Sequence, residues 1–464
     1  MAVISDNLRV PTSVDPLTPT LAAILCITVA AAVAAFLATR PRAAFAVWML
    51  TLACVPFWFQ LPSLPIPPAT IAFAIVAPAI WVNRPIQKKW LLADSLLSGV
   101  ILLGMIAHII IDSPRYAITA VILQWMTAYL VGRRLALVCG WRYTNDLLAI
   151  VGVAAGMWSL IEYFAHWHAF EGTGNVNASL GFWAEIQLRG GVARSEGAFG
   201  HAIALGGFLA MTIPFAFTYS RRSLRLPFVA IVFAGILFTL SRGPILSAVL
   251  VVIMSLTMLS SRAIGASVRA FGIILSILAT IIIAPKVMSR FSSLDSELNP
   301  STDYRENLWH LIPHDLVWIG QAHHVGVDSH GRSLYREFGS IDSTPLLIAL
   351  DFGWIIVLSL TIGMCVIALR TIRDGILGRT SPASIALVGQ IPTLLTVALI
   401  TQYGAAVWLM VGIAAAQHAW PLAGQRSLRP TEPEPWETDR RALDATHRRE
   451  PVPVDIQTPH IPVY

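Results

Sequence analysis

Residues 225–260 read RLPFVAIVFAGILFTLSRGPILSAVLVVIMSLTMLS, two apolar blocks (225–240 and 243–260) hinged on Ser241-Arg242-Gly243. A bilayer core takes about 20 apolar residues per crossing helix. Lipid offers backbone amides no partner, so blocks of this kind must be helical. They recur from Thr20 to Trp420. Over the 464 residues, 56% are hydrophobic and 12% charged, whereas a soluble domain carries roughly a quarter charged residues. The alternating pattern of a membrane barrel is absent. The expected fold class is an all-α integral membrane protein, a multi-span helical bundle whose longest outward-facing loops carry its chemistry.

Working outward, spans fall near 20–39, 43–60, 66–82, 92–111, 115–131, 146–165, 198–219, 225–240, 243–260, 269–285, 344–369, 383–400 and 403–420, about 12–13 transmembrane helices. Alternate short loops are basic: Arg40/Arg42, Arg84/Lys88/Lys89, Arg133/Arg134/Arg142, Arg221/Arg222/Arg225, Arg262/Arg269 and Arg370/Arg373/Arg379. Cytoplasmic loops hold the Lys/Arg excess, so these face the cytoplasm. Residues 171–197 and 286–343 then face outward. An odd number of spans puts the N-terminus outside. It moves inside if the Pro-rich 61–82 stretch or the close pair around Gln402 is re-entrant.

The expected organisation is an N-terminal tail (1–19), N-terminal transmembrane helices (20–165), a first outer loop (166–197) and central transmembrane helices (198–285). A large extracytoplasmic loop (286–343), C-terminal transmembrane helices (344–420) and a cytoplasmic tail (421–464) follow. The first segment carries one basic residue, Arg9, and lacks the pattern of a cleaved signal peptide. The tail is rich in Pro, Glu and Arg without apolar periodicity and reads as disordered. Cys26, Cys54, Cys139 and Cys365 lie in or beside apolar spans at no metal or disulfide spacing, as small hydrophobes do. The formal charge of +6 comes from basic residues distributed over the alternating short loops, which argues against nucleic acid as a partner.

Ionisable residues within the spans are few: Asp94, His108, Glu162, Asp351 and His418, mostly near predicted ends. An ion-coupled pump needs charges near the midplane. The histidines concentrate outside instead, at positions 166, 168, 201, 310, 314, 323, 324 and 330. The first outer segment is glycine-rich and runs through Arg194-Ser195-Glu196-Gly197-Ala198-Phe199-Gly200-His201 into an apolar helix. Such a run presents amides and an arginine to an anion, or is a solvated loop in which Arg194 pairs with Glu196. Arg242 is a cation in a short outer turn. Its planar fork matches phosphate oxygens, and the alternative is an arginine snorkelling to lipid headgroups. In the large outer segment, apolar positions between Thr302 and Leu316 fit an amphipathic surface helix. His310 and His314 share a helix face, but no acidic residue completes a zinc pattern, so no metal is expected.

At these three segments the chain resembles the O-antigen ligase/polymerase superfamily of bacterial envelope glycosyltransferases, over roughly residues 190–370. The likeness is carried by Arg194 to His201, by Leu240-Ser241-Arg242-Gly243, by Tyr304-Arg305 with Trp309 and then Trp318-Ile319-Gly320, and by Ile341-Asp342-Ser343 with Leu346, Leu347 and Phe352-Gly353. It implies a GT-C-like fold that transfers glycan from a polyprenyl-diphosphate carrier outside the cytoplasmic membrane to a glycan or lipid acceptor. Neither metal nor nucleotide sugar is implied, and no cofactor. Arg194, Arg242 and Arg305 would bind the diphosphate, and His201, Tyr304 and Trp309 would contact substrate. Many ligases of this family carry a His-Asn pair where the loop returns to the membrane. Asp342-Ser343 stands here instead, which favours a polymerase-like chemistry with Asp342 as base and His330 as the second candidate. The competing expectations are a transporter or flippase of lipid-linked glycans, another polyprenyl-using synthase, or a scaffold.

Overall fold

Prolines mark where many of the helices begin, because a residue without an N–H is tolerated in a first turn. In the computed structural model, residues 17–60, 66–83, 91–111, 115–176, 178–260, 264–265, 269–270, 272, 307–308, 311–323, 325–327, 333–336, 338–339 and 341–419 are described. In chain order, α1 is Leu17–Ala38, α2 Pro41–Cys54, α3 Pro68–Val82 and α4 Leu92–Ile111. Helix α5 is Ile118–Cys139 and α6 Trp141–Ala165. A hairpin, β1 (Leu188–Arg189) with β2 (Val192–Ala193), precedes α7 (Ala202–Phe217), α8 (Arg225–Phe238) and α9 (Arg242–Met258). Next come α10 (Leu311–Asp315) and the antiparallel pair β3 (Val325–Val327) and β4 (Ser333–Tyr335). The series closes with α11 (Thr344–Phe352), α12 (Trp354–Ile376), α13 (Pro382–Val388), α14 (Ile391–Thr396) and α15 (Thr401–Ala419). Prolines stand in the first turns of α2, α3, α11, α13 and α14.

The described chain is mostly helical. Three helices, α5, α6 and α12, are long and apolar enough to cross a membrane, and shorter apolar helices accompany them. Helix α7 is buried almost end to end and packs against α6, α8, α9, α13 and α15. Helix α12 instead exposes Ile355, Leu358, Ile362, Leu369, Ile372 and Ile376. An apolar strip of that length on an outer helix marks a surface that meets something other than water.

Helix boundaries depart from the expected spans in three places. The basic stretch Arg133–Arg134, expected in a loop, lies within α5, in the second of two π-helical stretches (Val121–Met126 and Val131–Leu135). Arg133 tolerates burial there because its guanidinium stands 3.5 Å from the Asp94 carboxylate, which also accepts the Tyr129 hydroxyl at 2.5 Å. The expected span 344–369 is broken at Gly353 (φ +87°), where a β-carbon would press against the Trp318 backbone. The expected span 383–400 divides into α13 and α14 and ends at Thr396, four residues before α15.

The break at Gly353 follows from a second, smaller apolar core. Leu308, Leu311, Ala322, Tyr335, Phe338 and Ile341, from the described part of residues 307–341, pack with Leu346 and Leu350 of α11. Amides of Gly320 and Ala322 donate to Phe352 O and Leu350 O. The Tyr335 hydroxyl donates to the buried Asp351 carboxylate, and Arg336 pairs with Asp315 at 2.6 Å. Helix α11 is thus fastened to these residues rather than continuing α12. The expected amphipathic helix from Thr302 is described only in part, at 307–308 and α10. The expected span 269–285 and the tail after residue 419 lie outside the described residues.

Candidate functional site at the Ser-Arg-Gly turn

The last carbonyls of a helix have no partner within it, and α8 ends at an unusual set of them. The segment 187–197 folds back to satisfy three in succession. Ser195 N donates to Phe238 O at 3.3 Å, Arg194 Nε to Thr239 O at 3.0 Å, and Arg189 Nη1 to Leu240 O at 2.6 Å. Cations are favoured at this end of a helix dipole. Arg194 also donates to Ser241 Oγ (2.5 Å) and Gln187 Oε1 (3.2 Å), and Ser241 Oγ donates onward to Thr239 O (2.9 Å). The expected alternative, Arg194 paired with Glu196, is not what forms: its guanidinium bonds go to the turn and to Gln187.

Glu162 holds the other side of this segment. Its Oε2 accepts the amides of Glu196 and Gly197, both at 2.9 Å, and its Oε1 faces His168 Nδ1 at 3.9 Å. Ser195 Oγ donates to Ser159 O (2.8 Å), and Glu196 Oε1 accepts Gln187 N (2.9 Å). Burial pushes the Glu196 carboxyl up to about 8, against the pull of the Gln187 amide and Arg194. Burial also draws the Arg194 guanidinium down to about 10, with Arg189 adding like-charge repulsion.

The turn itself has an uncommon backbone. Leu240 has φ +50°, a left-handed conformation that a leucine adopts only at a cost. Ser241 is the buried N-cap of α9, and Arg242, the first residue of that helix, is exposed. Gly243 has no room for a side chain, since a methyl there would collide with Thr396 Oγ1 at the end of α14.

The segment that carries Asp342 comes to the end of α14 as well. Asp342 is half-buried between Ile341, part of the second core, and Ser343, the N-cap of α11. Two residues on, Thr344 Oγ1 donates to Val397 O at 2.6 Å. The Ser-Arg-Gly turn and the return of the large outer segment therefore abut the successive residues Thr396 and Val397. The two segments thus bring an exposed arginine and a half-buried carboxyl to the same end of α14; a guanidinium suits an anionic group and a carboxylate suits a proton.

His201 is a helix cap in this structure: its Nδ1 accepts Ile203 N at 3.2 Å, so the proton of the neutral ring sits on Nε2, and the ring meets Trp183 edge-on. Tyr304, Arg305, Trp309 and His330 lie outside the described residues. Among the described residues, no group of three or more His, Cys, Asp or Glu side chains is placed to hold a metal ion. Sequence reasoning missed Arg189 and the part played by Glu162. The Gly190-Gly191 pair following Arg189 is a two-residue hairpin signal, and it would have projected Arg189 from a fixed strand. Compared with known proteins, the chain matches no family model, no curated protein and no solved structure.

Proposed function

We propose that the chain is a multi-span, GT-C-like membrane glycosyltransferase of the O-antigen ligase/polymerase kind. It moves or polymerises glycan from a polyprenyl-diphosphate-linked donor onto a glycan or lipid acceptor at the outer face of the cytoplasmic membrane, in the building of a surface polysaccharide. The observation that carries this reading is the meeting of the Arg194 segment, the Arg242 turn and the Asp342 segment around the end of α14. As the bond between sugar and phosphate breaks, negative charge develops on the diphosphate, and fixed cations oppose it. Arg242, exposed in the first turn of α9, and Arg194, bonded to the neighbouring Ser241, supply them, with Arg305 as the third candidate. Asp342 takes the proton of the acceptor hydroxyl, with His330 as the second candidate. The apolar faces of α1 and α12 are the lipid-facing surface of this arrangement.

The test is a glycan profile of a deletion strain complemented with wild type or Arg242→Ala, alongside transfer by the purified chain from a polyprenyl-diphosphate-linked glycan. Restoration by wild type alone supports the reading, and the length distribution of the product separates polymerase from ligase. An unchanged profile at normal protein levels sinks it. A second reading, a transporter or flippase of lipid-linked glycans, draws on one observation: the helical run is interrupted at 397–400 before α15, where Thr401 takes φ +46°. Interrupted helices form many transporter sites. Movement of labelled lipid-linked glycan across vesicles without glycosidic bond formation would favour that reading.

A further inference from the structure

We infer that Arg189 is a positioning residue: its guanidinium holds Leu240 in the left-handed conformation and so sets the direction in which Arg242 leaves the chain. Three observations lead there. First, Leu240 is not glycine, so its positive φ persists only where surrounding bonds over-determine it. Second, the bond from Arg189 Nη1 to Leu240 O is 2.6 Å, short and charge-assisted, and it takes the last of the three carbonyls before the Ser241 N-cap. The two carbonyls before it are held by Ser195 N and Arg194, the Leu240 amide donates to Leu237 O and Ser241 Oγ accepts Arg194, which leaves the Leu240 carbonyl as the group of the turn that Arg189 holds. Third, Arg189 is itself rigidly presented. It pairs with Val192 across the hairpin whose central residues, Gly190 and Gly191, both take positive φ (+55° and +76°).

The far side of the turn cannot absorb a movement, because Gly243 is lodged against Thr396. Without the cation on Leu240 O, residue 240 relaxes toward negative φ, and the swing falls on Ser241 and Arg242. The requirement at 189 is for a positively charged donor. Lysine meets it and methionine does not.

The test uses the full chain in detergent, with amide hydrogen exchange over residues 239–245 and binding of farnesyl diphosphate as two separate readouts. The second readout rests on the function proposed above and the first does not. Arg189→Met is expected to speed exchange at the turn and weaken farnesyl diphosphate binding, each about tenfold, the size of one charged hydrogen bond. Arg189→Lys is expected to recover most of both. Adding Leu240→Gly to Arg189→Met is expected to recover binding, because glycine takes positive φ without help. Unchanged exchange at 239–245 in Arg189→Met overturns the inference, as does lysine performing no better than methionine. If Arg189→Met does not fold, Arg189→Gln, a neutral donor, gives the same comparison against lysine. Wild type that binds no farnesyl diphosphate counts against the proposed function, while the exchange comparison still decides the role of Arg189.

Discussion

Replacing Glu196 by glutamine tests the electrostatics of the first outer segment. The carboxyl is buried, raised from an ordinary 4.5 to about 8, and accepts the Gln187 amide through Oε1. Glutamine keeps that acceptor and cannot ionise. Below about 4.5 the acid is protonated folded or unfolded, and pH has no effect through this group. Between 4.5 and about 8 the folded chain holds a proton that the unfolded chain has lost, so stability falls as pH rises. The slope is at most about 1.4 kcal/mol per pH unit. Integrated over the interval, the ceiling is roughly 5 kcal/mol, reduced by whatever water reaches the carboxylate once it forms. Glu196→Gln removes the slope: near wild type at pH 5, it becomes the more stable protein by pH 8 to 9. Thermal unfolding of both proteins in one detergent, from pH 5 to 9, reads the effect. Two curves that stay parallel across that range would refute the assignment of a raised carboxyl to Glu196.

Gly243→Ala drives a methyl into Thr396 Oγ1 and is expected to cost about 1–3 kcal/mol; combining it with Thr396→Ala recovers much of the loss, and an additive double mutant in unfolding assays argues against the contact. Tyr335→Phe deletes the buried hydroxyl bond to Asp351 and is expected to cost about 1–3 kcal/mol. Limited proteolysis then cuts faster between α10 and α11 while the helices resist, and unaltered cleavage counts against it. Asp94→Leu removes the carboxylate opposite the buried Arg133 and is expected to cost about 3–5 kcal/mol, whereas Arg133→Met costs less, because the half-buried Asp94 keeps the Tyr129 hydroxyl and the Leu91 amide. The double replacement is milder than Asp94→Leu alone, and a double mutant worse than both contradicts the pairing.

Much of the helical layout was legible because apolar blocks bounded by proline and arginine leave little choice of secondary structure. Residues 202–217 and 242–258 form helices within one to four residues of expectation. The break at Gly353 was not legible, since apolar residues continue on both sides of it, with Leu350 and Phe352 before and Trp354 after, and Asp351 the one charge between them. Its cause is the Trp318 backbone lodged against residue 353, a tertiary approach that hydropathy does not register. Arg133 was misplaced into a loop for a related reason: adjacent arginines end a span unless an acid elsewhere offsets the buried one, and Asp94 is 39 positions away. The arginines of the candidate site were visible, but their division of labour was not. Arg189 and Leu240 lie 51 positions apart, and the left-handed backbone at Leu240 carries no glycine to announce it.

The second apolar core has a bearing on how the chain comes apart. Its buried members are distinct from those of the main core, and Leu316 is one of few side chains packed against both. Side chains that share so few neighbours respond to perturbation nearly independently. Helix α11 belongs to both, with Ile348, Ala349 and Phe352 in the main core and Leu346 and Leu350 in the second, so it is the anchor on which the described part of residues 307–341 can loosen locally while α7 and its surrounding helices stay intact. Asp342 stands between Ile341 of that core and the N-cap of α11, so the carboxyl assigned to the acceptor is tied to the second core while the guanidinium assigned to the donor opens a helix of the main one.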